Sequence, residues 1–93
     1  MKIILIEEAN KGYAEAKVGN EQIGKMTYSF SEEGIIMIDS TYVFDAYKGQ
    51  GIGKEMLYKI VEMARLNNIK IIPLCPFSIS VFEKNVDIQD VLI

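Results

Sequence analysis

The hydrophobic pattern changes period at residue 51, and that change restricts the fold more than any other feature of the chain. From there Ile52, Met56, Leu57, Ile60, Val61 and Ala64 recur at the spacing of one face of a 3.6-residue helix. Lys54, Glu55, Lys59, Glu62 and Arg65 take the other side, and Glu55 with Lys59 is expected to form an i,i+4 ion pair. Asn67-Asn68 ends the pattern. Upstream the residues read as strands: 2–7, then the turn-forming Asn10-Lys11-Gly12, then 13–18 and 21–30 joined by a tight hairpin turn at Gly19-Asn20. After a turn over Ser31-Glu32-Glu33-Gly34, the mostly apolar run 35–44 reads as a central strand.

Downstream of the helix, 69–74 reads as a buried strand and Cys75-Pro76-Phe77 as a bend. Residues 78–85 read as a short second helix, with Ser80 and Glu83 placed as a capping box. The tail "VDIQDVLI" alternates weakly and reads as a turn plus a final edge strand. An antiparallel meander followed by helix, strand and helix makes an α+β fold with a mixed sheet. Residues 1–93 are expected to form one domain, small enough that only about 60–65% of the unfolded surface is buried.

Composition narrows the function. Cys75 is the only cysteine, so no internal disulfide forms, and a lone thiol suits a reducing compartment. The opening "MKIILIEEAN" is too short for a signal-peptide core and no run nears the length of a membrane span, so the chain is expected to be cytoplasmic, without membrane partners. Ten basic residues scattered among thirteen acidic ones, a net charge of −3, offer no stripe for a nucleic-acid backbone. The chain has no histidine. Ser-His-Asp and Cys-His nucleophile systems are thereby excluded within one chain, and a metal site is not expected.

The stretch "AYKGQGIGKEM" (46–56) precedes the helix with glycines at 49, 51 and 53. Neither of two phosphate-binding motifs fits it. A dinucleotide fingerprint would need glycine where Lys54 or Met56 stands, and a P-loop would need glycine at Lys48 and a hydroxyl at Glu55. What remains is a strand, a loop with bare amides and a helix start near Gly51 or Ile52, which can seat a phosphate. A flexible turn between strand and helix is the other reading. Lys54, a cation at the wrong end for the helix dipole, is easier to understand beside an anion.

"KGQGIGKEM" after "DSTYVF" resembles the acetyl-CoA pyrophosphate loop of the GCN5-related N-acetyltransferases, with the pattern Arg/Gln-x-x-Gly-x-Gly/Ala at a strand–helix junction. Lys48, Gly51 and Gly53 fall on its fixed positions, and Lys48 keeps the charge while losing the fork of an arginine. "IIPLCPFSISVFEK" is similar to the corresponding part of a minimal, stand-alone branch of that superfamily. The resemblance implies the acyl-CoA N-acyltransferase fold and transfer of acetyl from acetyl-CoA to an unidentified amine. It also implies cofactor contacts from Val43, Lys48, Gly49, Gln50, Gly51, Ile52, Gly53 and Lys54, with the pantetheine arm between splayed parallel strands 35–44 and 69–74. Two family positions differ: Ser40 stands where that branch often has histidine, and Phe82 stands where many relatives have the tyrosine that protonates the thiolate.

Two residues remain as candidates for chemistry. Cys75 follows the strand where a thioester would end, and can take the acetyl group, protonate the departing thiolate, or simply pack as a small hydrophobe. Asp39 on the central strand can serve as general base or face solvent. Tyr42 and Tyr47 can cover the cofactor or pack. A non-catalytic module that keeps the fold and binds CoA or a protein partner is the alternative to an enzyme, and under either reading a homo-oligomer, with the cleft completed by another subunit, is open.

Overall fold

Alternation in the first half of the chain produces four antiparallel strands in the computed structural model, which describes residues 1–93. They are β1 (Lys2–Glu7), β2 (Lys11–Val18), β3 (Glu21–Glu32) and β4 (Ile35–Val43), each paired with the next. Helix α1 (Ile52–Leu66) crosses over to β5 (Lys70–Pro73), which pairs parallel to β4 and completes a five-stranded sheet in the order β1-β2-β3-β4-β5. This is the mixed α+β sheet the patterning predicts. No helix is long and apolar enough to cross a membrane.

The apolar stripe of α1 is buried throughout, against Ala14, Ala16, Met26, Ile36 and Ile38 of the sheet. Tyr28 extends this core under the sheet's far strands, passing over Gly12 to donate its hydroxyl to Glu7 Oε1 at 2.7 Å. A Cβ at Gly12 would lie 2.6 Å from the Tyr28 ring, so glycine is required there for close approach. The turn at Gly19-Asn20 falls where expected, but Lys11 and Gly12 belong to β2, so the first turn lies at Ala9-Asn10, and the third is confined to Glu33-Gly34. Gly19 and Gly34 take the left-handed conformation, with φ of 61° and 78°.

The second half departs from expectation in several places. Helix α2 spans Pro76–Lys84 rather than starting at 78, because Pro76 fits the first helical position and Cys75 is the N-cap. Ser80 therefore lies inside the helix, and the Ser80–Glu83 capping box does not form. The tail folds as a 3₁₀ helix over Val86–Val91, and only a lone bridge between Leu92 and Ile71 survives of the expected edge strand. Lys59 pairs with Glu62 at 3.8 Å instead of with Glu55. A 3₁₀ turn over Asp45–Tyr47 links β4 to the glycine loop, and β3 runs on to Glu32.

One irregularity positions the site. Tyr28 pairs with Ile38 but Thr27 with Ser40, so Asp39 is an extra residue that bulges β4. The parallel pairing with β5 stops at the same level, at Ile38 and Pro73. Both Leu74 and Cys75 turn their N–H groups onto the Ile38 carbonyl, at 3.0 and 3.3 Å, as β5 leaves the sheet. Beyond Ile38, β4 has no strand on that side, and a wedge opens between the two strands.

Candidate functional site

A cleft of 590 Å³ continues this wedge, walled by the end of β4, the glycine loop, the start of α1 and one side of α2. Every residue of the expected cofactor set lines it except Gln50. Gly51 is the N-cap of α1 with φ 77°, and Gly49 has φ 81°, so both glycines supply a left-handed backbone that other residues resist. Nothing lies within 4 Å of a Cβ built at either, so the loop is not closed over by its own side chains.

The amides decide what this loop can hold. No backbone N–H from Gly49 to Lys54 donates to any protein group, and the first intrahelical bond is Glu55 N–H to the Gly51 carbonyl, at 3.0 Å. A run of free donors at a helix N-terminus, with a partial positive charge of about +0.5, is a seat for an anion. Two cations flank it. Lys48 is exposed and paired with Asp45 at 3.0 Å, and the Lys54 ammonium lies 5.4 Å from the centre of the Tyr58 ring.

Gly53 serves another purpose. A Cβ there would lie 2.6 Å from the Phe77 ring, so the third glycine lets α2 approach α1 closely and brings Phe77 over the helix start. Phe77 and Val81 thus form the apolar wall opposite Thr41, Val43 and Tyr47. Sequence reasoning did not find Phe77 or Val81. The only local sign was a glycine in the first turn of an amphipathic helix, which signals close approach without naming the partner.

Neither candidate for chemistry lines the cleft. Cys75 is buried behind Thr41, a lining residue: its sulfur lies 3.3 Å from Thr41 Oγ1 and donates to Ser78 Oγ at 3.1 Å. Ser78 in turn donates to the Cys75 carbonyl at 2.9 Å, which fixes the first turn of α2. Asp39 is exposed at the bulge, where it accepts a 3.4 Å hydrogen bond from Ser29. Ser40 bonds with Thr27 across the strands at 2.9 Å, and Phe82 is buried in the core. Tyr42 lines the cleft with its hydroxyl bonded to Gln22, and Tyr47 lines it too, so both face the cleft rather than only the core.

A mixed sheet split between its parallel strands, with undonated amides where the following helix begins, defines an α+β fold with a cleft suited to an anion. Residues 13–91 match the model of the GCN5-related N-acetyl-transferase family. A GCN5-like protein from Staphylococcus aureus, solved in solution, is 39% identical with a TM-score of 0.73, covering 97% of this chain and 87% of its own. The chain therefore belongs to the GCN5-related N-acetyltransferase family, whose members take acetyl-CoA as substrate. Larger acetyltransferases share the fold at low identity. The ribosomal-protein-alanine N-acetyltransferase of Brucella melitensis is 17% identical (TM-score 0.71; 83% of this chain, 62% of that one). An acetyltransferase of Bacillus anthracis in complex with acetyl coenzyme A is 19% identical (TM-score 0.66; 85% of this chain, 48% of that one). This chain thus spans about half to two-thirds of those enzymes' length. No curated protein matches it.

Proposed function

We propose that this chain, as one minimal domain in a reducing cytoplasm, transfers acetyl from acetyl-CoA to an amine, with the CoA diphosphate seated on the amides of Gly49 to Lys54. The observation that carries this reading is the coincidence of unpaired amides, left-handed glycines and a split sheet in one cleft. Lys48 and Lys54 add charge at its mouth, and Phe77, Val81 and Val43 give the pantetheine arm an apolar wall. The arm then follows the unpartnered side of β4 toward Ile38, ending near Thr41 and the Cys75 thiol behind it.

In this reading Cys75 relays the acetyl group. Its sulfur attacks the acetyl carbonyl carbon, the carbon–sulfur bond to CoA breaks, and the thiol proton passes to the departing CoA sulfur. The acceptor amine then attacks the acetylated cysteine, forming the amide and returning a proton to the sulfur. Thr41 and Ser78 hold the thiol in place through the bonds described above. Asp39 is exposed on the strand beside the wedge, where it can draw an ammonium-bearing acceptor and take up its proton.

Calorimetric titration with CoA and with acetyl-CoA tests the binding step. Absence of binding by both overturns the proposal. Mass spectrometry after incubation with acetyl-CoA should find an acetyl group on Cys75. Cys75→Ala should bind cofactor normally and lose transfer, and an unchanged rate in that variant removes Cys75 from the chemistry. A CoA-binding module without turnover is favoured by one observation, that neither Cys75 nor Asp39 lines the cleft. Tight CoA binding with no acetylation across polyamine, amino-acid and peptide acceptors selects that reading.

A further inference from the structure

The sheet has a bare edge at β1, the outermost strand, whose side away from β2 pairs with nothing. Glu8 N–H donates to the Lys11 carbonyl at 2.8 Å, so these two residues form a hydrogen-bonded pair at the end of the β1–β2 ladder. Alternation along an antiparallel ladder then turns the amides and carbonyls of Lys2, Ile4 and Ile6 toward β2, and those of Ile3, Leu5 and Glu7 outward. Such an edge is a template for another strand unless proline, a bulge or an inward charge protects it. β1 has none of these along its middle and is apolar on both faces, with Ile3 and Leu5 toward the core and Ile4 and Ile6 on the opposite face.

We propose that β1 pairs antiparallel with β1 of a second copy, centred on Leu5, so that one sheet runs through a two-fold symmetric dimer. A two-fold axis normal to the sheet keeps each face continuous and so sets residues of the same face opposite one another. Centring on Leu5 or on Ile4 satisfies that condition and also matches the outward amides. The charges choose between them. With Leu5 at the axis, Lys2 faces Glu8 of the partner copy, Ile4 faces Ile6 of the partner copy, and the same contacts repeat on the other side of the axis. Centring on Ile4 sets Lys2 opposite Ile6 and pairs no side chains of opposite charge.

A second feature of this edge fits the same partner. A hollow of 700 Å³ lies beside β1, between it and α1, and its lining includes Ile3 and Tyr58 along with Met1 and Leu66, which are 59% and 80% exposed. Edge pairing sets the partner's strand alongside Ile3 and shelters these apolar groups. The acyl-CoA cleft is at β4 and β5, across the sheet, so both clefts of the dimer stay open and the proposal stands or falls separately from the function.

Sedimentation equilibrium of the full chain between about 1 µM and 1 mM tests it. The apparent mass should rise from 10.5 kDa toward twice that value. Lys2→Glu and Glu8→Lys each place two like-charge contacts in the dimer and should weaken association about tenfold, and the double variant should return it to within about threefold of the original. Both positions are exposed, so thermal unfolding by circular dichroism should show all three variants folded. A mass that stays at 10.5 kDa at every concentration overturns the proposal. So does a dimer that ignores the single changes or is not restored by the double one.

Discussion

Tyr28 is 1% exposed and donates its hydroxyl to Glu7, and both facts push its ionisation in one direction. Burial holds the hydroxyl well above the ordinary tyrosine value of 10.0, and the hydrogen bond to Glu7 and that carboxylate's negative charge add to it. Below pH 10.0 the group is neutral in both folded and unfolded chains, and its contribution is complete. As pH rises past that value the unfolded chain loses the proton while the folded one keeps it, so stability falls by about 1.4 kcal/mol per pH unit. Tyr28→Phe should remove that slope and cost about 1 kcal/mol at neutral pH through the lost bond. Urea midpoints of the two proteins compared between about pH 8 and 11 check both expectations. The glycines of the loop separate two kinds of constraint at the same scale. Gly51→Ala meets no steric neighbour, so its cost of about 1 kcal/mol comes from φ 77° alone, with a methyl group added beside the free amides. Gly53→Ala has ordinary backbone but must move the Phe77 ring. Titration with CoA should therefore find binding weakened in both, whereas the urea midpoint tracks backbone strain only in the first.

The last turn of α1 is tied to the C-terminal 3₁₀ helix by one forked contact. Arg65 donates through Nε and Nη2 to the two oxygens of Asp90, at 3.0 and 2.6 Å, and through Nη2 to the Asp87 carbonyl at 2.6 Å. The Arg65 hydrogen bond holds the Asp90 carboxyl below its usual value of 3.8 against the opposing effect of burial. Its contribution is therefore present above pH 3.8 and is lost as pH falls through the lower value of the folded state. Arg65→Lys keeps the charge and loses the fork, so amides of Val86–Val91 should exchange faster with solvent while those of β2 and β3 do not. Uniform protection in the variant would sink this assignment. The contact also shows why the chain's two halves differ in legibility. α1 and the meander were readable because their causes are local: six apolar positions at helical spacing, and glycines at 19 and 34 that the turns require. The capping box at Ser80 was local too, but Pro76 next to the N-cap overrode it. The tail was misread because its partners are Arg65, Tyr58 and Ile71, distant in sequence. The site divides the same way. Left-handed glycines announced the loop, whereas the bulge at Asp39, the Phe77 ring over Gly53 and the Thr41 hydroxyl beside Cys75 arise from contacts between elements, and no periodicity encodes them.

For the molecule as a whole, the open wedge and the unpaired amides are the features that the proposed acetyl-CoA would complete. A core of 19 buried residues in a chain of 93 leaves modest stability, and a split between β4 and β5 takes strand pairing away from it. A ligand that fills the cleft binds the folded state alone and so adds RT ln(1 + [L]/Kd), about 2.7 kcal/mol at a hundredfold excess over Kd. For a chain of this size that shifts the unfolding temperature by about 10–20 °C. The chemistry of the seat sets the order among ligands. CoA and acetyl-CoA carry both the diphosphate and the pantetheine arm and should give the full shift. Inorganic pyrophosphate reaches only the amides of Gly49 to Lys54 and should give a smaller one, and adenosine, with no phosphate, should give almost none. Thermal unfolding with each ligand reads this order directly, and in Gly51→Ala the pyrophosphate shift should shrink with the CoA shift. If adenosine matched CoA while pyrophosphate did nothing, the cleft would be recognising the base, and the free amides would have no part in holding the ligand.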